Sequence, residues 1–190
     1  MGDAAEDRAK ASELPEGDVI RILLEQHAQV RDLFAQLQAS PASGRKELFD
    51  DLRALLAVHE TAEEMVLRSQ ADGGAWKDVA EERNREEHEA NEVLKDLEAL
   101  DPQTDAFLEK LTAFEKAVDE HAEAEETEEF PRVLSACDAD ERRKLGDRLR
   151  AVEKMAPTHP HPSAAGSPTA QALTGPFASM VDRVRDAISH

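Results

Sequence analysis

The residues HETAEE (59–64) and HAEAEE (121–126) repeat the pattern H-x-x-x-E-E, and the two copies lie 62 positions apart. In a helix, side chains four positions apart project from one face about one turn apart, so each histidine and the following glutamate can contact one metal ion. A single histidine precedes each copy, His27 before the first and His88 before the second. These two histidines lie 61 positions apart. The spacing indicates that a two-helix unit is used twice.

Hydrophobic periodicity places the four histidines inside a helical bundle. Apolar residues recur every three or four positions in four segments before about residue 133, which predicts four amphipathic helices. Turn sequences separate these segments at 40–44, 72–74 and 101–102, and the last helix should end at Phe130-Pro131. Because short connections join long helices, we predict an all-α, antiparallel, up-down-up-down four-helix bundle. The inner positions are Ile20, Leu23, His27, Val30, Phe34 and Leu37; Leu48, Leu52, Leu55, His59, Glu63 and Val66; Ala80, Asn84, His88, Asn91, Leu94 and Leu97; and Phe107, Leu111, Phe114, Val118, His121 and Glu125.

Segments of different composition flank the bundle. The first residues are charged and interrupted by Pro15, which is typical of a flexible arm. Asp138 and Glu141 have the spacing of a capping box and predict a further helix. A Pro-rich stretch and an amphipathic segment follow, and the latter should dock on the bundle or on a second copy in a homodimer. The predicted division is a flexible N-terminal arm (1–16), the bundle (17–135), an additional helix (138–156), a linker (157–174) and an amphipathic C-terminal helix (175–190).

Composition excludes several classes of partner. The chain carries 23 Lys and Arg against 42 Asp and Glu, which gives a formal net charge of −19. This charge repels the phosphates of nucleic acids and of anionic lipids. No apolar run approaches the roughly 20 residues that span a bilayer, and the N-terminus lacks the apolar stretch of a signal peptide. The single cysteine, Cys137, permits no internal disulfide, so we predict a cytoplasmic protein without nucleic-acid or membrane partners.

The inner histidines and glutamates should meet at one level of the bundle and bind metal. Buried without a cation, they would cost on the order of several kcal/mol per unpaired charge. Imidazole and carboxylate without thiolate favour iron, with zinc and manganese as alternatives. About four protein ligands per ion leave positions open for small molecules. The predicted ligands are His27 and His59 on one ion, His88 and His121 on the other, and Glu63 and Glu125 as bridges, with Glu126 as the alternative to Glu125.

Simpler interpretations apply to the other polar residues near these motifs. His159 and His161 in the sequence THPHP, and His190 at the end, are interpreted as tail residues and not as a second metal site. Cys137 is interpreted as an ordinary half-buried thiol. The glutamates interpreted as a solvated outer face are Glu60, Glu64, Glu89, Glu123, Glu126, Glu128 and Glu129.

On these motifs the sequence resembles the hemerythrin-like (HHE cation-binding) family over about residues 18–135. The resemblance rests on His27, on HETAEEMVL from His59, on EEHEANEVL around His88 and on HAEAEETEEFP from His121. It implies a four-helix bundle around a non-heme di-iron centre that is bridged by an oxo or hydroxo group and two carboxylates. It also implies that dioxygen, hydrogen peroxide, nitric oxide or iron is handled at this centre.

One departure from the family pattern bears on function. The oxygen-carrying members have a second histidine four residues after the one in the third helix, and Glu92 stands at that position here. The pattern H, H-x-x-x-E, H, H-x-x-x-E resembles the branch that senses iron or handles peroxide. We therefore expect a protein of oxidative or nitrosative stress with catalase-like turnover of peroxide or reaction with nitric oxide, and not a simple oxygen carrier. The alternatives are an iron, oxygen or redox sensor and a metal-binding protein without turnover.

Overall fold

The computed structural model describes residues 2–67 and 77–155, and all regular elements in those ranges are helical. Five-residue π-helical turns follow α3 and α5, at Glu63–Leu67 and Glu125–Glu129. The predicted turn at 72–74, the linker, the C-terminal helix and the histidines at 159, 161 and 190 lie outside the described residues. The α-helices are α1 (Ala4–Ser12), α2 (Val19–Ala39), α3 (Arg45–Ala62), α4 (Lys77–Glu98), α5 (Asp105–Ala124), α6 (Phe130–Ala136) and α7 (Ala139–Met155).

Helices α2 to α5 form the predicted bundle. The side chains of Asp18 and Thr104 accept hydrogen bonds from the backbone N–H groups of Ile20 and Phe107, and so cap the N-termini of α2 and α5. Short connections join α2 to α3 and α4 to α5, and the helices of each pair pack against each other, so they run antiparallel. The prediction of an all-α helical bundle is confirmed. Within the described ranges no helix is both long and apolar enough to span a bilayer.

Two apolar clusters fill the bundle, one on each side of a polar level. His27 lies between Leu23 of one cluster and Val30 of the other, and His59 lies likewise between Leu56 and Ala62. The apolar layers therefore bury the histidines from both sides of the polar level. The larger side chains of the first cluster belong to Ile20, Leu23, Leu24, Leu67, Phe130 and Leu149, and those of the second to Phe34, Leu37, Phe49, Leu52, Phe107, Leu111 and Phe114.

The prediction of a flexible arm over residues 1–16 is wrong for Ala4–Ser12. This segment forms α1, which packs along α2. Asp3 caps the helix by accepting a hydrogen bond from the backbone N–H of Ala5 at 2.8 Å. Asp7 is 1% exposed and pairs with Arg31 of α2. A long-range ion pair holds α1 in place, and the composition of the arm alone could not reveal it.

The predicted end of the last bundle helix at Phe130-Pro131 is also wrong. The chain remains helical through the π-helical turn and continues as α6 to Ala136. Pro131 stands at the start of α6, where a helix needs no backbone N–H from that residue. The wider turn before Pro131 thus removes the conflict between proline and a continuing helix.

Helix α7 packs on α2 and α3 and closes one end of the bundle. The predicted capping box at its start is confirmed, because Asp138 and Glu141 exchange hydrogen bonds at 2.8 and 2.9 Å. Gly146 touches the turn before α2 so closely that a Cβ there would lie 2.0 Å from the carbonyl oxygen of Gly17. Gly17 itself has a φ of 83°, which favours glycine. Only a residue without a side chain fits at position 146.

Candidate metal centre

Residues from three helices and both π-helical turns meet at the polar level. The imidazoles of His27, His59 and His121 are 3%, 3% and 6% exposed, and the carboxylates of Glu63 and Glu125 are equally buried. Each glutamate is the first residue of a π-helical turn. The potential ligand atoms of His27, His59, Glu63 and Glu125 all lie within 4.8 Å of one another. The structure thus brings together the four residues predicted to surround one ion.

A second group shares one of these carboxylates. Ligand atoms of Glu60, Glu63 and His121 also lie within 4.8 Å of one another. His88 belongs to α4, as does Glu92, but the side chains of both lie outside the described part of the structure. The structure therefore brings His121 and Glu63 together as predicted and adds a carboxylate that the sequence analysis did not select.

The added carboxylate, Glu60, is 8% exposed, and its Oε1 lies 3.9 Å from Nε2 of His121. The prediction that Glu60 lies on the solvated outer face is wrong. Glu60 stands three positions before Glu63, a spacing that allows both side chains to face the same way, but this spacing alone does not show that the shared side is buried. Two carboxylates on that face reach the centre together with the imidazole of His59.

Two more glutamates point inward against expectation. Glu129 is 1% exposed, and the side chain of Glu126 is 6% exposed, so the prediction of a solvated position is wrong for both. The π-helical turn inserts an extra residue per turn and rotates these side chains toward the interior. Glu123 and Glu128 are exposed as predicted. The side chains of Glu64 and Glu89 lie outside the described part.

Glu125 lies between imidazoles from both halves of the repeat. Its Oε1 lies 2.9 Å from Nε2 of His121, and its Oε2 lies 3.3 Å from Nε2 of His27 and 4.0 Å from Nε2 of His59. The Nε2 atoms of His27 and His121 nevertheless make no hydrogen bond to any residue within 2–67 or 77–155. Two buried Nε2 atoms that face a shared carboxylate without a hydrogen bond fit a bound cation.

The opposite nitrogen of each imidazole has a partner outside this group. Nδ1 of His59 lies 2.8 Å from Oε1 of Gln26, an acceptor, so Nδ1 carries the proton and Nε2 keeps its lone pair. Nδ1 of His27 lies 3.0 Å from Glu126. Nδ1 of His121 lies 3.1 Å from Glu86. Partners of this kind fix the tautomer and orientation of metal-binding histidines.

Charges within the cluster shift the protonation equilibria of the metal-free protein. Burial opposes a charge on His27 and His121, but Glu125 and its neighbouring carboxylates outweigh burial and raise both pKa values. Burial would raise the pKa of Glu125, yet His121 and His27 hold it well below its usual range. Burial likewise opposes the charge on Glu126, but His27 and Lys10 lower its pKa to about 2. Protons thus supply positive charge that metal ions would replace.

Comparison with known proteins agrees with this geometry. Residues 18–133 match the hemerythrin HHE cation binding domain, and that range covers more than half of the chain. A protein of Schizosaccharomyces pombe described as an uncharacterised hemerythrin-like protein is 26% identical over 134 residues. The match covers 69% of this chain and 66% of that relative, slightly less than two thirds of its length. No solved structure matches the chain significantly. By fold, by the buried histidine and glutamate cluster and by this match, the chain belongs to the hemerythrin HHE cation-binding domain family.

Proposed function

We propose that the chain holds two iron ions at the buried cluster and uses them to consume hydrogen peroxide or to react with nitric oxide. The observation that carries the proposal is the position of Glu125, whose two oxygens face imidazoles of both halves of the repeat. A carboxylate in that position can bridge two ions. When bound, the irons supply redox equivalents and open positions for a small oxidant.

The ligand assignment follows the two groups of converging atoms. His27 and His59 would hold the first ion, and Glu63 and Glu125 would contribute a carboxylate to each ion. His121 and Glu60 would hold the second ion. His88 would complete the second ion by its position in the sequence repeat. Glu126 contacts Nδ1 of His27, the nitrogen that faces away from Glu125, so we assign it as a positioning partner and not as a bridge.

Catalysis fits this site better than reversible oxygen carriage. Glu60 adds a carboxylate near His121, and Glu92 replaces the second α4 histidine of oxygen carriers. Extra negative charge stabilises the ferric state, because it compensates the higher charge of the metal. Oxidation should therefore be easy and release of intact dioxygen slow. The outer partners of the imidazoles hold each tautomer.

Metal analysis combined with optical spectroscopy tests the proposal. The full chain should bind about two irons, show oxo-to-iron absorption in the near ultraviolet and consume added peroxide over many turnovers. His59→Ala and His121→Ala should each remove most of the metal, because each deletes one of about four ligands per ion. The matched control is His161→Ala in the tail, which should retain both irons. One zinc per chain without iron absorption would refute the di-iron assignment.

A sensor is the second candidate, and the outer partners favour it. Gln26 contacts both His59 and Glu153 of α7, and Glu126 contacts both His27 and Lys10 of α1. Loss of metal could thus be transmitted to two peripheral helices. Amide hydrogen exchange distinguishes the candidates. A sensor should show deprotection of α1 and α7 upon metal loss while the far end of the bundle stays protected.

A further inference from the structure

A cavity of about 400 Å³ lies beside the cluster, between α2 and α5. His27, His59, His121 and Glu125 form its inner end. Gly2 to Ala4 form part of its outer wall, and the backbone N–H of Gly2 donates to Asp119 at 2.9 Å. The cavity therefore links the candidate metal centre to the surface. Its apolar walls consist of Val30, Phe34, Leu56, Val118 and Ala122.

The size of the cavity exceeds what diatomic ligands or hydrogen peroxide require. A site needs only about 10–15 Å³ by this kind of measure to hold one water molecule, and these small oxidants are of comparable size. Sites for small organic molecules occupy roughly 300–1,000 Å³ and are mostly apolar. At about 400 Å³ with apolar walls, this cavity belongs to the second class. Its volume indicates a ligand with an apolar body.

The outer end of the cavity carries acidic side chains, which limit the charge of that ligand. Asp3, Asp32, Glu115 and Asp119 stand there with one cation in the lining, Arg31, and Asp32 also pairs with Arg8 of α1, so carboxylates remain in excess. The guanidinium of Arg31 already pairs with Asp119 at 2.9 Å, with Asp7 and with Glu126 at 3.2 Å. Its charge is therefore compensated, and the entrance repels anions. A neutral molecule fits both the entrance and the walls.

We infer that the cavity binds a neutral organic hydroperoxide, with its apolar body along Val30, Phe34 and Val118 and its peroxy group at the cluster. The inference rests on the proposed di-iron function and names its substrate class. The O–O bond of ROOH breaks, two electrons come from two ferrous ions, and two protons are taken up from the buffered solvent. The products are the alcohol ROH, one water molecule and two ferric ions. A one-electron reductant such as ascorbate returns the ions to the ferrous state.

The first test measures binding without turnover. Calorimetric titration uses 2-phenyl-2-propanol, the alcohol product of cumene hydroperoxide, with the full chain both as purified and after zinc loading. We expect saturable binding to both forms. The anion 2-methyl-2-phenylpropanoate has the same apolar body and a carboxylate, and it should bind at least about tenfold more weakly. Absence of binding by the alcohol, or equal binding of the anion, would overturn the inference.

Cavity-filling variants locate the ligand. Val118→Trp should weaken binding of 2-phenyl-2-propanol by at least about tenfold, because the indole occupies the space between the walls. Ala35→Trp is a second variant, since Ala35 lies at the cavity on the exposed side of α2 and its replacement leaves the core unchanged. Ala39→Trp is the matched control, one turn further along the same helix and outside the cavity. Binding that is unchanged in both cavity variants would contradict the inference.

Rates of oxidation of the reduced protein separate this inference from the proposed function. In both cavity variants, the rate with cumene hydroperoxide should fall at least about tenfold more than the rate with hydrogen peroxide, when each rate is compared with that of Ala39→Trp. Equal slowing with both oxidants would refute the organic substrate while leaving the peroxide function intact. A wild-type protein without iron would refute the proposed function, and the titration of the zinc-loaded chain would still decide whether the cavity binds its ligand.

Discussion

The α2–α3 half and the α4–α5 half of the bundle present similar atoms to the candidate metal centre but differ behind them. In both halves a histidine is followed four residues later by a glutamate that begins a π-helical turn. Behind His59 stands the neutral amide of Gln26. Behind His121 stands the carboxylate of Glu86, which pairs with Arg83 at 2.9 Å. The repeat preserves the atoms that face the centre and not the partners of those atoms.

This difference should make the two ions unequal. A carboxylate behind an imidazole increases its basicity, whereas an amide fixes the tautomer without adding charge. On the side of His59, Glu126 stands behind His27, so each side has one imidazole with a carboxylate behind it; Glu60 adds a further carboxylate on the side of His121. We expect the ion next to His121 to be the more oxidised and the ion next to His59 to be the more readily reduced.

Removal of all metal should have the largest effect, because both halves of the bundle then lose the ions that they would bind together. The carboxylates of Glu60, Glu63 and Glu125 then lie close together without the positive charge of the metal. We expect the melting temperature to fall by roughly 10 °C or more, as measured by calorimetry with and without a chelator. Addition of iron to the chelated protein should restore it. An unchanged melting temperature would show that metal does not hold the halves together.

Exchange of the outer partners tests the difference between the halves directly. Glu86→Gln should lower the affinity for the ion near His121, and Gln26→Leu should lower the affinity for the ion near His59, each by about 10- to 100-fold. Stepwise removal of iron by a competing chelator measures the two affinities separately. Glu25→Gln is the control, since Glu25 pairs with Arg21 away from the centre. If both variants weaken the same ion, the halves are not independent.

Removal of one charge at the centre should have a smaller effect. Glu60→Gln keeps the size of the side chain and deletes one negative charge near His121, so the ferric state loses stabilisation. We expect the reduction potential of one iron to rise by at least about 59 mV, a tenfold change in its one-electron equilibrium. Redox titration followed by absorption measures this shift. The exposed Glu123→Gln should leave the potential unchanged, and a similar shift in both variants would point to a general charge effect.

The smallest effect concerns Cys137, which follows α6 at the end of the second half. Burial, together with nearby Glu141, raises the pKa of this thiol. Its thiolate fraction is therefore lower than that of a free cysteine at neutral pH and increases as the pH rises. Alkylation by iodoacetamide at pH 7.5 should be slower than for glutathione, and Cys137→Ser should retain metal and peroxide consumption. Loss of either property would assign the thiol a part in the reaction.

The sequence predicted the histidines of the centre that lie on regular helices and the two glutamates that begin the π-helical turns. Periodicity placed His27, His59 and His121 inward, because an unbroken α-helix repeats its face every three or four residues. The same rule failed for Glu126 and Glu129, since the π-helical turn that begins at Glu125 changes the period. A pattern based on α-helical spacing cannot anticipate where that change occurs.

Long-range contacts account for the other differences. Helix α1 was not predicted because its anchor, the pair between Asp7 and Arg31, joins residues 24 positions apart. Glu60 was assigned to the surface because neighbouring glutamates in an acidic chain are usually solvated. Its burial depends on how α3 faces α5, which local spacing does not determine.

The close contact between Gly17 and Gly146 bears on how much of the chain the candidate metal centre needs, because this contact positions α7. The family match ends at residue 133, and α7 begins at Ala139. Yet Glu153 of α7 accepts a hydrogen bond from the amide of Gln26 at 2.7 Å, and Gln26 orients His59. The glycine contact fixes how closely α7 approaches, and so it sets the position of Glu153, which contacts the partner of a proposed metal ligand. A fragment cut at the family boundary, or a chimaera that exchanges this helix, would keep every proposed ligand and lose the support of one of them.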